Sequence, residues 1–406
     1  MTGQTPFPLD AVADLYRDLH AHPELSFAEE RTAGIVAERL RTWGYEVMTG
    51  IGGTGVVGVL DNGPGPTALL RADMDALPVA EQTGSDYAST VPGVMHACGH
   101  DVHVACLLGA AAELSVRRES FAGRLVVLFQ PAEEIGAGAD AMVADGLYER
   151  IGRPDVVLGQ HVGPMPAGLF GFHEGLAMAA SDTLTVTLHG RGGHGSRPET
   201  TVDPVVMAAA TVLRLQTIVS RETAGTETAV VTVGTLHAGT KENVIADTAT
   251  LGINVRSFEE AVRERTLAAI ERIVRAESDA SGAPEPPEVS ESVHFPALRN
   301  DPAGIARTRA AFEAEFGAGT VLDPGSVTGS EDVGVLAEAA GAPCVFWILG
   351  GADPTAFAGA ASLEDFVEIV RTLPSNHSSD YAPVIEPTLS LGVRALVAAA
   401  REWLPV

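Results

Sequence analysis

The chain has 406 residues, enough for two or three domains at roughly 100–200 residues each. Its composition, with 46% hydrophobic and 19% charged residues, is typical of a folded globular protein and excludes a disordered one. The 53 acidic residues outnumber the 26 Lys and Arg residues and give a net charge of −27, so the surface repels the phosphates of nucleic acids and anionic lipids. We therefore expect neither a nucleic acid nor a membrane as a partner.

The three cysteines, Cys98, Cys106 and Cys344, are an odd number without the spacing of a disulfide framework. Such a pattern is typical of a reducing compartment, where thiols stay free or bind metal. The N-terminal residues 1–8 show no basic stretch before an apolar one, and no run reaches the roughly 18 apolar residues of a membrane span. We expect a cytoplasmic protein that is not secreted.

In chain order, residues 10–43 are predicted to be helical with a break at His22 and Pro23. Short apolar runs then predict strands that are each followed by acidic or imidazole side chains: 68–71 before Asp73 and Asp75, 124–129 before Glu133 and Glu134, and 156–159 before His161. Open α/β sheets carry ligand sites at the carboxyl ends of their strands. The pattern predicts an α/β domain with a site at these ends.

A helix is predicted to start near Asp101, whose side chain can cap it. Its apolar residues recur at helical spacing, at Val104, Leu107, Leu108 and Ala111. Cys98 and His100 then lie in the loop before this helix.

A different pattern occupies residues 181–296. It predicts, in order, a strand with Leu184, Val186 and Leu188, a helix at 203–220, strands at 228–236 and 244–256, a helix at 258–276 and a strand near 287–295. The order β-α-β-β-α-β is the split ferredoxin-like motif. The α/β pattern resumes at about residue 297. We predict a catalytic three-layer α/β/α domain, residues 1–180 and 297–406, interrupted by an α+β domain at 181–296.

Five side chains are candidate metal ligands. They are Cys98, His100, Glu134, His161 and His377. A thiolate, imidazoles and a carboxylate are donors that zinc, manganese and related first-row cations accept. Any one of them alone is better explained as an ordinary core or surface residue. All but one, however, lie at predicted strand ends or in the loop that opens a helix, and this shared placement predicts a metal site.

Glu133 is the candidate general base. Adjacent carboxylates after a strand point in different directions, so Glu134 can bind a metal while Glu133 reaches a water molecule beside it. The alternative is a solvated acidic loop; the preceding strand and the nearby Cys98 favour catalysis. Asp75 is expected to hold a ligating imidazole in its working tautomer, and Asp73 either does the same or caps the following turn.

Further candidate residues lie in the inserted domain. His194 stands among glycines in the segment 192–196, where the backbone leaves room for a substrate; the alternative is an idle histidine on a flexible loop. Asn243 and Arg256, with Lys241 nearby, can bind a substrate carboxylate, Arg256 in a bidentate manner. An exposed arginine that only improves solubility is an equally good explanation of Arg256.

The sequence does not support two common nucleotide-binding motifs or the motif of serine hydrolases. Residues 50–55 match the dinucleotide fingerprint Gly-x-Gly-x-x-Gly, but the apolar run 56–60 predicts a strand where that motif needs a helix. The chain has no Gly-x-Ser-x-Gly motif and no Gly-Lys-Ser/Thr phosphate loop. Serine hydrolases and nucleotide hydrolases therefore lose their main support.

A cysteine amidase is a rival hypothesis from another mechanistic class. Cys98 would be its nucleophile, with His100 or His161 as the base. His20 and His22 are ligands by residue type, but they end a helix far from any predicted strand end. We interpret them as structural.

An ordered series of motifs carries a resemblance over nearly the whole chain. The motifs are His20–Leu25, Arg71–Pro78, Met95–Asp101, Gln130–Glu134, Gln160–Val162, Gly192–His194, Asn243–Ile245, Gly329–Asp332 and Asn376–Ser378. The sequence resembles the dimetal aminoacylase and carboxypeptidase clan, in its amidohydrolase branch of hippurate hydrolases, auxin-conjugate hydrolases and N-acyl-amino-acid aminoacylases.

The resemblance implies that the same five candidate side chains bind two metal ions, with Glu133 as the base. It implies zinc or manganese, with cobalt or nickel as alternatives. It also implies a homodimer, with pairing into a homotetramer open, in which the inserted domain is a lid and His194 reaches the partner's active site. Asn243 and Arg256 match positions that hold the substrate's carboxylate.

Departures from the family pattern affect the substrate rather than the metal site. Ala246 follows Ile245 where relatives often have Pro, Ser379 stands where Pro is commoner, and Glu199 replaces a common His. The helix Leu215–Glu222 looks closest to N-acyl-glutamine aminoacylases. The expected activity is hydrolysis of N-acyl amino acids; a dipeptidase, an N-acyl-diaminopimelate deacetylase and a non-catalytic binding protein are the alternatives.

Overall fold

The computed structural model describes residues 8–406, so the expectation drawn from residues 1–7 lies outside the described part of the chain. Its helices are α1 (Leu9–Ala21), α2 (Glu30–Thr42), α3 (His100–Val116), α4 (Gly138–Ala144), α5 (Leu147–Ile151), α6 (Pro204–Thr217), α7 (Glu260–Ala280), α8 (Pro302–Phe316), α9 (Val333–Ala340), α10 (Leu363–Thr372) and α11 (Ile385–Trp403). No helix among residues 8–406 combines the length and apolar character needed to cross a lipid bilayer.

The strands complete the element order. They are β1 (Glu46–Ile51), β2 (Gly55–Asn62), β3 (Thr67–Asp73), β4 (Gly123–Gln130), β5 (Val156–Pro166), β6 (Phe170–Gly171), β7 (Gly175–Met178), β8 (Ala180–His189), β9 (Gly193–His194), β10 (Ala229–Ala238), β11 (Val244–Ile245), β12 (Thr248–Ser257), β13 (Glu288–Phe295), β14 (Leu298–Asn300), β15 (Val321–Leu322) and β16 (Cys344–Ala352).

The chain divides into two compact units. The large unit comprises the described residues up to Ala177 with Arg299–Gly325 and Asp332–Val406, and the small unit comprises Met178–Leu298 and Ser326–Glu331. The short segment Ser326–Glu331 belongs to the small unit although it lies far along the chain from the rest of it, an assignment that no local pattern in the sequence suggests.

The large unit is built on an eight-stranded mixed sheet in the order β1-β2-β4-β3-β5-β16-β6-β15. Strand β3 is parallel to both β4 and β5, so the carboxyl ends of these three strands lie side by side. Alternate residues of β4 point to opposite faces: Leu125 and Val127 join a core with α1, α3 and α11, while Val126 on the other face is also fully buried. A sheet buried on both faces is the three-layer arrangement predicted from the sequence.

The small unit is a four-stranded antiparallel sheet in the order β10-β12-β8-β13. Together with α6 and α7, its elements follow the chain order β-α-β-β-α-β, which confirms the ferredoxin-like prediction. Apolar residues from both helices and from one sheet face, such as Leu215, Ile270 and Leu251, form its core. Strand β10 is an edge strand of this sheet.

Several predicted boundaries are corrected. The predicted break at His22 and Pro23 is confirmed, since α1 ends at Ala21, but the interruption is longer than expected and extends to Glu30, with Phe27 in a left-handed backbone with φ of 62°. Asp101 does not cap α3, since Gly99 with φ of 86° precedes the first helical residue, His100, and Asp101 turns its side chain to His20. The predicted strand 244–256 is divided into β11 and β12, where Asp247 accepts a hydrogen bond from the Gly192 N–H.

Candidate metal centre

The polar side chains after β3 and β4 and a histidine within β5 meet at the shared carboxyl edge of the sheet. Asp75 follows β3, Glu133 and Glu134 follow β4, and His161 lies in the second half of β5. The sequence predicted His161 just after a shorter strand; β5 instead continues to Pro166. Because β3 pairs with β4 and β5 in parallel, these segments are neighbours in space.

His100 is placed by a turn that requires glycine. Gly99 has φ of 86°, and a Cβ on it would lie 2.4 Å from Val162 Cγ1, so no other residue fits. His100 Nδ1 lies 3.2 Å from Asp75 Oδ1, which fixes the ring and leaves Nε2 pointing at the carboxylates. Nε2 lies 3.7 Å from Glu134 Oε1 and 3.9 Å from Glu133 Oε2.

Asp75 joins His100 to the glutamate loop. Its Oδ2 accepts hydrogen bonds from the Glu134 N–H at 3.0 Å and from Ser26 Oγ at 2.7 Å. The His100 and Ser26 hydrogen bonds hold the pKa of Asp75 below its ordinary value although burial acts in the opposite direction. Asp75 thus has the imidazole-orienting geometry that the sequence analysis predicted for it.

The other candidate ligands lie close by. Cys98 Sγ is 3.5 Å from His161 Nε2, and His377 Nε2 is 3.2 Å from Glu134 Oε2. His161 Nδ1 donates to the Val162 carbonyl at 2.8 Å, so its Nε2 carries a lone pair directed toward Cys98. His377 has a left-handed backbone with φ of 71° and stands on an exposed loop.

The donor set fits divalent cations. In the described part of the chain, the buried atoms His100 Nε2 and Glu134 Oε1 have no hydrogen-bond partner, which is costly unless a cation satisfies them. The donor atoms of Cys98, His100 and Glu134 lie within 4.8 Å of one another. Cys98, His100, Glu134, His161 and His377 together offer the sulfur, nitrogen and oxygen donors that zinc and related ions accept.

Electrostatics of the pocket favour bound positive charge. Burial lowers the pKa of His100, but the negative charges of Asp73, Glu134 and Asp75 outweigh it and raise that pKa to about 10. Burial and the carboxylates of Glu134 and Glu133 raise the pKa of the Cys98 thiol well above its ordinary value. Without a cation Cys98 is therefore a protonated thiol and a poor nucleophile, which argues against a cysteine amidase.

Asp73 and His103 were not assigned a definite role from the sequence. His103 Nδ1 bonds to Asp73, and its Nε2 accepts the Val162 N–H at 2.8 Å, so both ring nitrogens are used and His103 orients its neighbours rather than binding metal. Asp73 Oδ2 accepts from buried Arg71 at 2.6 Å. His103 follows His100 by three residues on α3 and so lies on the same face of the helix, a spacing from which its place near the site could have been predicted.

Glu29 is a second buried carboxylate that sequence reasoning missed. Its Oε1 accepts the backbone N–H groups of Ala132 at 2.8 Å and Phe27 at 3.0 Å, and Thr54 donates to its Oε2. Ala132 and Phe27 are two of the three non-glycine residues with positive φ in the described chain. Glu29 thus stabilises the strained turn that carries Glu133.

His20 is structural, as expected, but it is buried rather than at a free helix end. His20 Nδ1 lies 2.6 Å from Asp101 Oδ2 and its Nε2 lies 3.2 Å from Glu81 Oε1. Asp101 directly follows His100, so this contact fixes the start of α3 against α1. His22 bonds locally to the Asp18 carbonyl at 2.7 Å.

In the small unit, His194 and Asn243 lie side by side. Strand β9 pairs with β11 so that His194 faces Val244, and the Gly195 N–H donates to the Asn243 carbonyl at 2.9 Å. The Ser196 N–H donates to His194 Nδ1 at 3.1 Å, which leaves the proton on the exposed Nε2. The His194 side chain is therefore ready to donate a hydrogen bond.

Arg256 lies at the other end of the small unit's sheet. Arg256 lies eight residues after Thr248, the first residue of β12, which corresponds to about 26 Å along an extended strand. Asn243 comes before the start of β12. Arg256 Nε donates to Asn254 at 2.9 Å and Arg256 Nη1 to Ser330 at 2.7 Å. In the described chain no carboxylate lies within ion-pair distance of this half-buried guanidinium, and burial lowers its pKa. One subunit does not bring Asn243 and Arg256 together.

A second cluster of side chains that can bind metals lies in the small unit, but an arginine already pairs with it. Asp182, Glu291 and His294 cluster there, but Arg263 Nε donates to Asp182 Oδ1 at 2.8 Å and supplies the positive charge. We assign no metal to this group.

The comparisons with known proteins identify the family. The profile of the family described as Peptidase family M20/M25/M40 matches residues 69–375. The chain belongs to this family. Membership in the M20 family makes it a hydrolase of C–N amide bonds and confirms the resemblance drawn from the sequence motifs.

Relatives within the M20 family span most of the chain. "Thermostable carboxypeptidase 2" of Saccharolobus solfataricus is 36% identical over 391 residues, 95% of this chain and 93% of that protein. "N-acyl-L-amino acid amidohydrolase" of Geobacillus stearothermophilus is 42% identical over 270 residues, 66% of this chain and 72% of that protein. A Bacillus subtilis structure described as a dinuclear metal-binding M20 peptidase aligns with a TM-score of 0.75 and 28% identity over 98% of each chain.

Proposed function

We propose that this protein hydrolyses the amide bond of N-acyl amino acids to a carboxylic acid and a free amino acid, with two divalent metal ions per subunit. The carrying observation is the pair of buried carboxylates beside His100, because Glu134 lies 3.7 Å from His100 Nε2 and 3.2 Å from His377 Nε2, while Glu133 adds a second carboxylate 3.9 Å from the same His100 nitrogen. A site for binding metal alone needs no second carboxylate there. The similarity to a relative named as an N-acyl-L-amino acid amidohydrolase supports the substrate class.

Each residue has a chemical role in this proposal. Metal ions bound by the five donors supply Lewis acidity toward the amide carbonyl and make water more acidic. Glu133 accepts the proton of the attacking water and returns it to the leaving amine, and Asp75 holds His100 in the tautomer that leaves Nε2 for the metal. His194 donates its Nε2 proton to the oxyanion that develops as the tetrahedral intermediate forms.

Arg256 and Asn243 are the proposed carboxylate-binding residues. A half-buried guanidinium without a carboxylate partner in the described chain is suited to an anionic substrate group. Because Asn243 lies beside His194 at the far end of β12, we propose that these two act on the partner's site in a homodimer, while Arg256 serves its own. The unpaired edge of β10 and exposed apolar residues on α6, such as Val206 and Leu213, support a dimer through the small unit.

We further propose zinc or manganese as the metal, with cobalt or nickel as alternatives, because a thiolate donor favours softer ions than magnesium. The three cysteines are free and buried, which supports a reducing, cytoplasmic location.

The decisive test compares two neighbouring glutamates. Glu133→Gln is expected to keep both metal ions and lose about 10²–10⁴ in kcat, since it removes only the proton acceptor. Glu134→Gln is the matched control and is expected to lose metal. Metal content by elemental analysis and hydrolysis of acetyl-, benzoyl- and long-chain acyl-amino acids, with dipeptides included, are the measurements.

Near wild-type turnover in metal-loaded Glu133→Gln would refute the base assignment. Treatment with a chelator provides the second control, because metal removal abolishes hydrolysis by this mechanism but leaves a Cys98 amidase active. Cleavage of dipeptides alone would move the substrate class to the peptidase alternative.

A further inference from the structure

The peptide group of Val162 is the meeting point of four side chains. Its carbonyl accepts hydrogen bonds from His161 Nδ1 at 2.8 Å, from Asn376 Nδ2 at 3.2 Å and from the Tyr381 hydroxyl at 3.2 Å, while its N–H donates to His103. The carbonyl therefore orients the ring of one candidate metal ligand, His161. Its other partners connect it to the loop that carries His377.

Asn376 connects the segments of two further ligands. Its Nδ2 donates to the Cys98 carbonyl at 3.0 Å and lies 3.8 Å from Cys98 Sγ, within hydrogen-bond distance of sulfur. The next residue, His377, donates its backbone N–H to the Ala97 carbonyl at 2.8 Å. Three ligand-bearing segments, around residues 98, 161 and 377, thus converge on one amide side chain.

The loop of His377 needs such an anchor. His377 is 56% exposed on its side chain and has a left-handed backbone, and Ser375 beside Asn376 is exposed as well. Cys98 and His161 are separated from Asn376 by 278 and more than 200 residues of chain, so local secondary structure does not fix their distances. Side-chain hydrogen bonds to ligand segments typically determine how well a metal site holds its ion.

We propose that Asn376 is a positioning residue that sets the geometry of the metal centre by tying Cys98, His161 and His377 together. It binds no metal itself; it donates one amide N–H toward Cys98 and the other to the Val162 carbonyl that orients His161. This inference rests on the proposed metal-dependent function and deepens it, because it names the residue on which the arrangement of three donors depends.

The test uses the full-length protein with Asn376→Ala and Asn376→Asp. The aspartate keeps the shape and one oxygen but lacks both N–H donors and repels the two carbonyls. Both variants are expected to bind metal about 10- to 100-fold more weakly in competition with a chromogenic chelator. In the Co²⁺-loaded protein, the thiolate-to-cobalt charge-transfer band of Cys98 is expected to shift or weaken, a readout that a general loss of stability does not move.

Asn300 is the matched control. It is buried in the same unit, and its amide donates to the carbonyls of His173 and Phe346 at 2.8 and 2.9 Å, so Asn300→Ala removes hydrogen bonds of the same kind whose partners are not in the segments around residues 98, 161 and 377. We expect it to lower the urea midpoint without changing the metal dissociation constant or the cobalt spectrum.

Two results would overturn the proposal: a metal dissociation constant within twofold of wild type with an unchanged cobalt band in both Asn376 variants, or an equal loss of affinity in Asn300→Ala. Asn376→Ser, which replaces the two amide N–H donors with one shorter hydroxyl donor, decides the matter if neither of these variants folds: an unchanged cobalt spectrum overturns the proposal and a shifted one supports it. If the wild-type protein binds metal normally but hydrolyses none of the tested acyl-amino acids and dipeptides, the proposed function is overturned instead.

Discussion

At the scale of single residues, buried carboxylates perform distinct tasks in one small volume. Asp75 orients His100, Glu134 faces the donors, and Glu29 holds backbone N–H groups. Burial raises the pKa of Glu29 more than its hydrogen bonds lower it, whereas the hydrogen bonds from His100 and Ser26 keep the pKa of Asp75 low although burial acts in the opposite direction. The identity of the hydrogen-bond donor, rather than the residue type, therefore determines what each carboxylate does.

Glu29 gives a prediction at this scale. Glu29→Ala leaves the N–H groups of Ala132 and Phe27 buried without an acceptor, so the turn before Glu133 relaxes and kcat/KM falls about 10- to 100-fold. Glu29→Gln keeps an oxygen for both N–H groups and an amide that can donate to Thr54, and it is expected to retain most activity. Steady-state kinetics of the two metal-loaded variants are the measurement, and equal losses in both would show that charge, not the hydrogen bonds, matters.

At the scale of elements, the sequence predicts the strands that precede the candidate site and the chain order of the small unit, because apolar runs and alternation encode them. The runs before Asp75 and Glu134 are β3 and β4, and the ferredoxin-like order of the small unit follows from periodicity alone. Helix starts were predicted less well: α3 begins at His100 because Gly99 adopts a left-handed conformation, whereas Asp101, a residue type that often caps helices, suggested a start one residue later.

Contacts made by the backbone could not be predicted at all. Val162 is an apolar residue in the sequence, yet its peptide group binds four side chains. The candidate ligands could be predicted because metal chemistry restricts residue type, whereas a carbonyl acceptor is present at every position and carries no sequence signal. Asn376 donates to two such backbone carbonyls, so the sequence does not indicate the role that we propose for it, whereas the neighbouring His377 is a typical metal-binding residue.

The docking of α1 on α3 gives a pH prediction. Burial lowers the pKa of His20, but Asp101 and Glu81 outweigh this effect and raise it to about 9. With an unfolded value near 6.5, the folded state binds the proton more tightly, so this stabilisation is complete below about pH 6.5 and is lost as the pH rises through about 9. The shift corresponds to about 3 kcal/mol.

His20→Gln isolates this effect, because glutamine is polar but does not titrate in this range. We expect the difference in unfolding free energy between wild type and His20→Gln, from urea titrations of the metal-loaded proteins, to shrink steadily between about pH 6 and pH 9.5. A difference that stays constant over this range would show that His20 is not protonated in the folded protein.

At the scale of the whole molecule, each of the two compact units carries some of the residues to which we assign a role in the proposed reaction. The candidate metal ligands and Glu133 belong to the large unit, and His194, Asn243 and Arg256 belong to the small one. Within the small unit, His194 pairs with Val244 before β12 starts, whereas Arg256 lies near the end of β12, so the two side chains are far apart in one subunit. This separation is the structural argument for a site shared between two copies of the chain.

Mixing inactive proteins tests that sharing. Glu133→Gln and His194→Ala are each expected to be inactive, but a heterodimer has one site with an intact Glu133 that receives an intact His194 from its partner. After complete random subunit exchange, about a quarter of the wild-type activity is expected. Differently tagged subunits verify the exchange, and an absence of recovery in verified heterodimers would place His194 in its own subunit's site or outside the reaction.

A mutation changes a side chain, whereas the hydrogen-bond acceptor at position 162 is a backbone carbonyl group. A peptide oxygen survives whatever amino acid a codon specifies, while Asn376, Tyr381 and His161 can each be lost through a single nucleotide change. A mutational scan would therefore score Val162 for how its methyl groups fit against Gly99 and Gly351, and would detect the importance of its carbonyl through the effects of mutations in the donor residues.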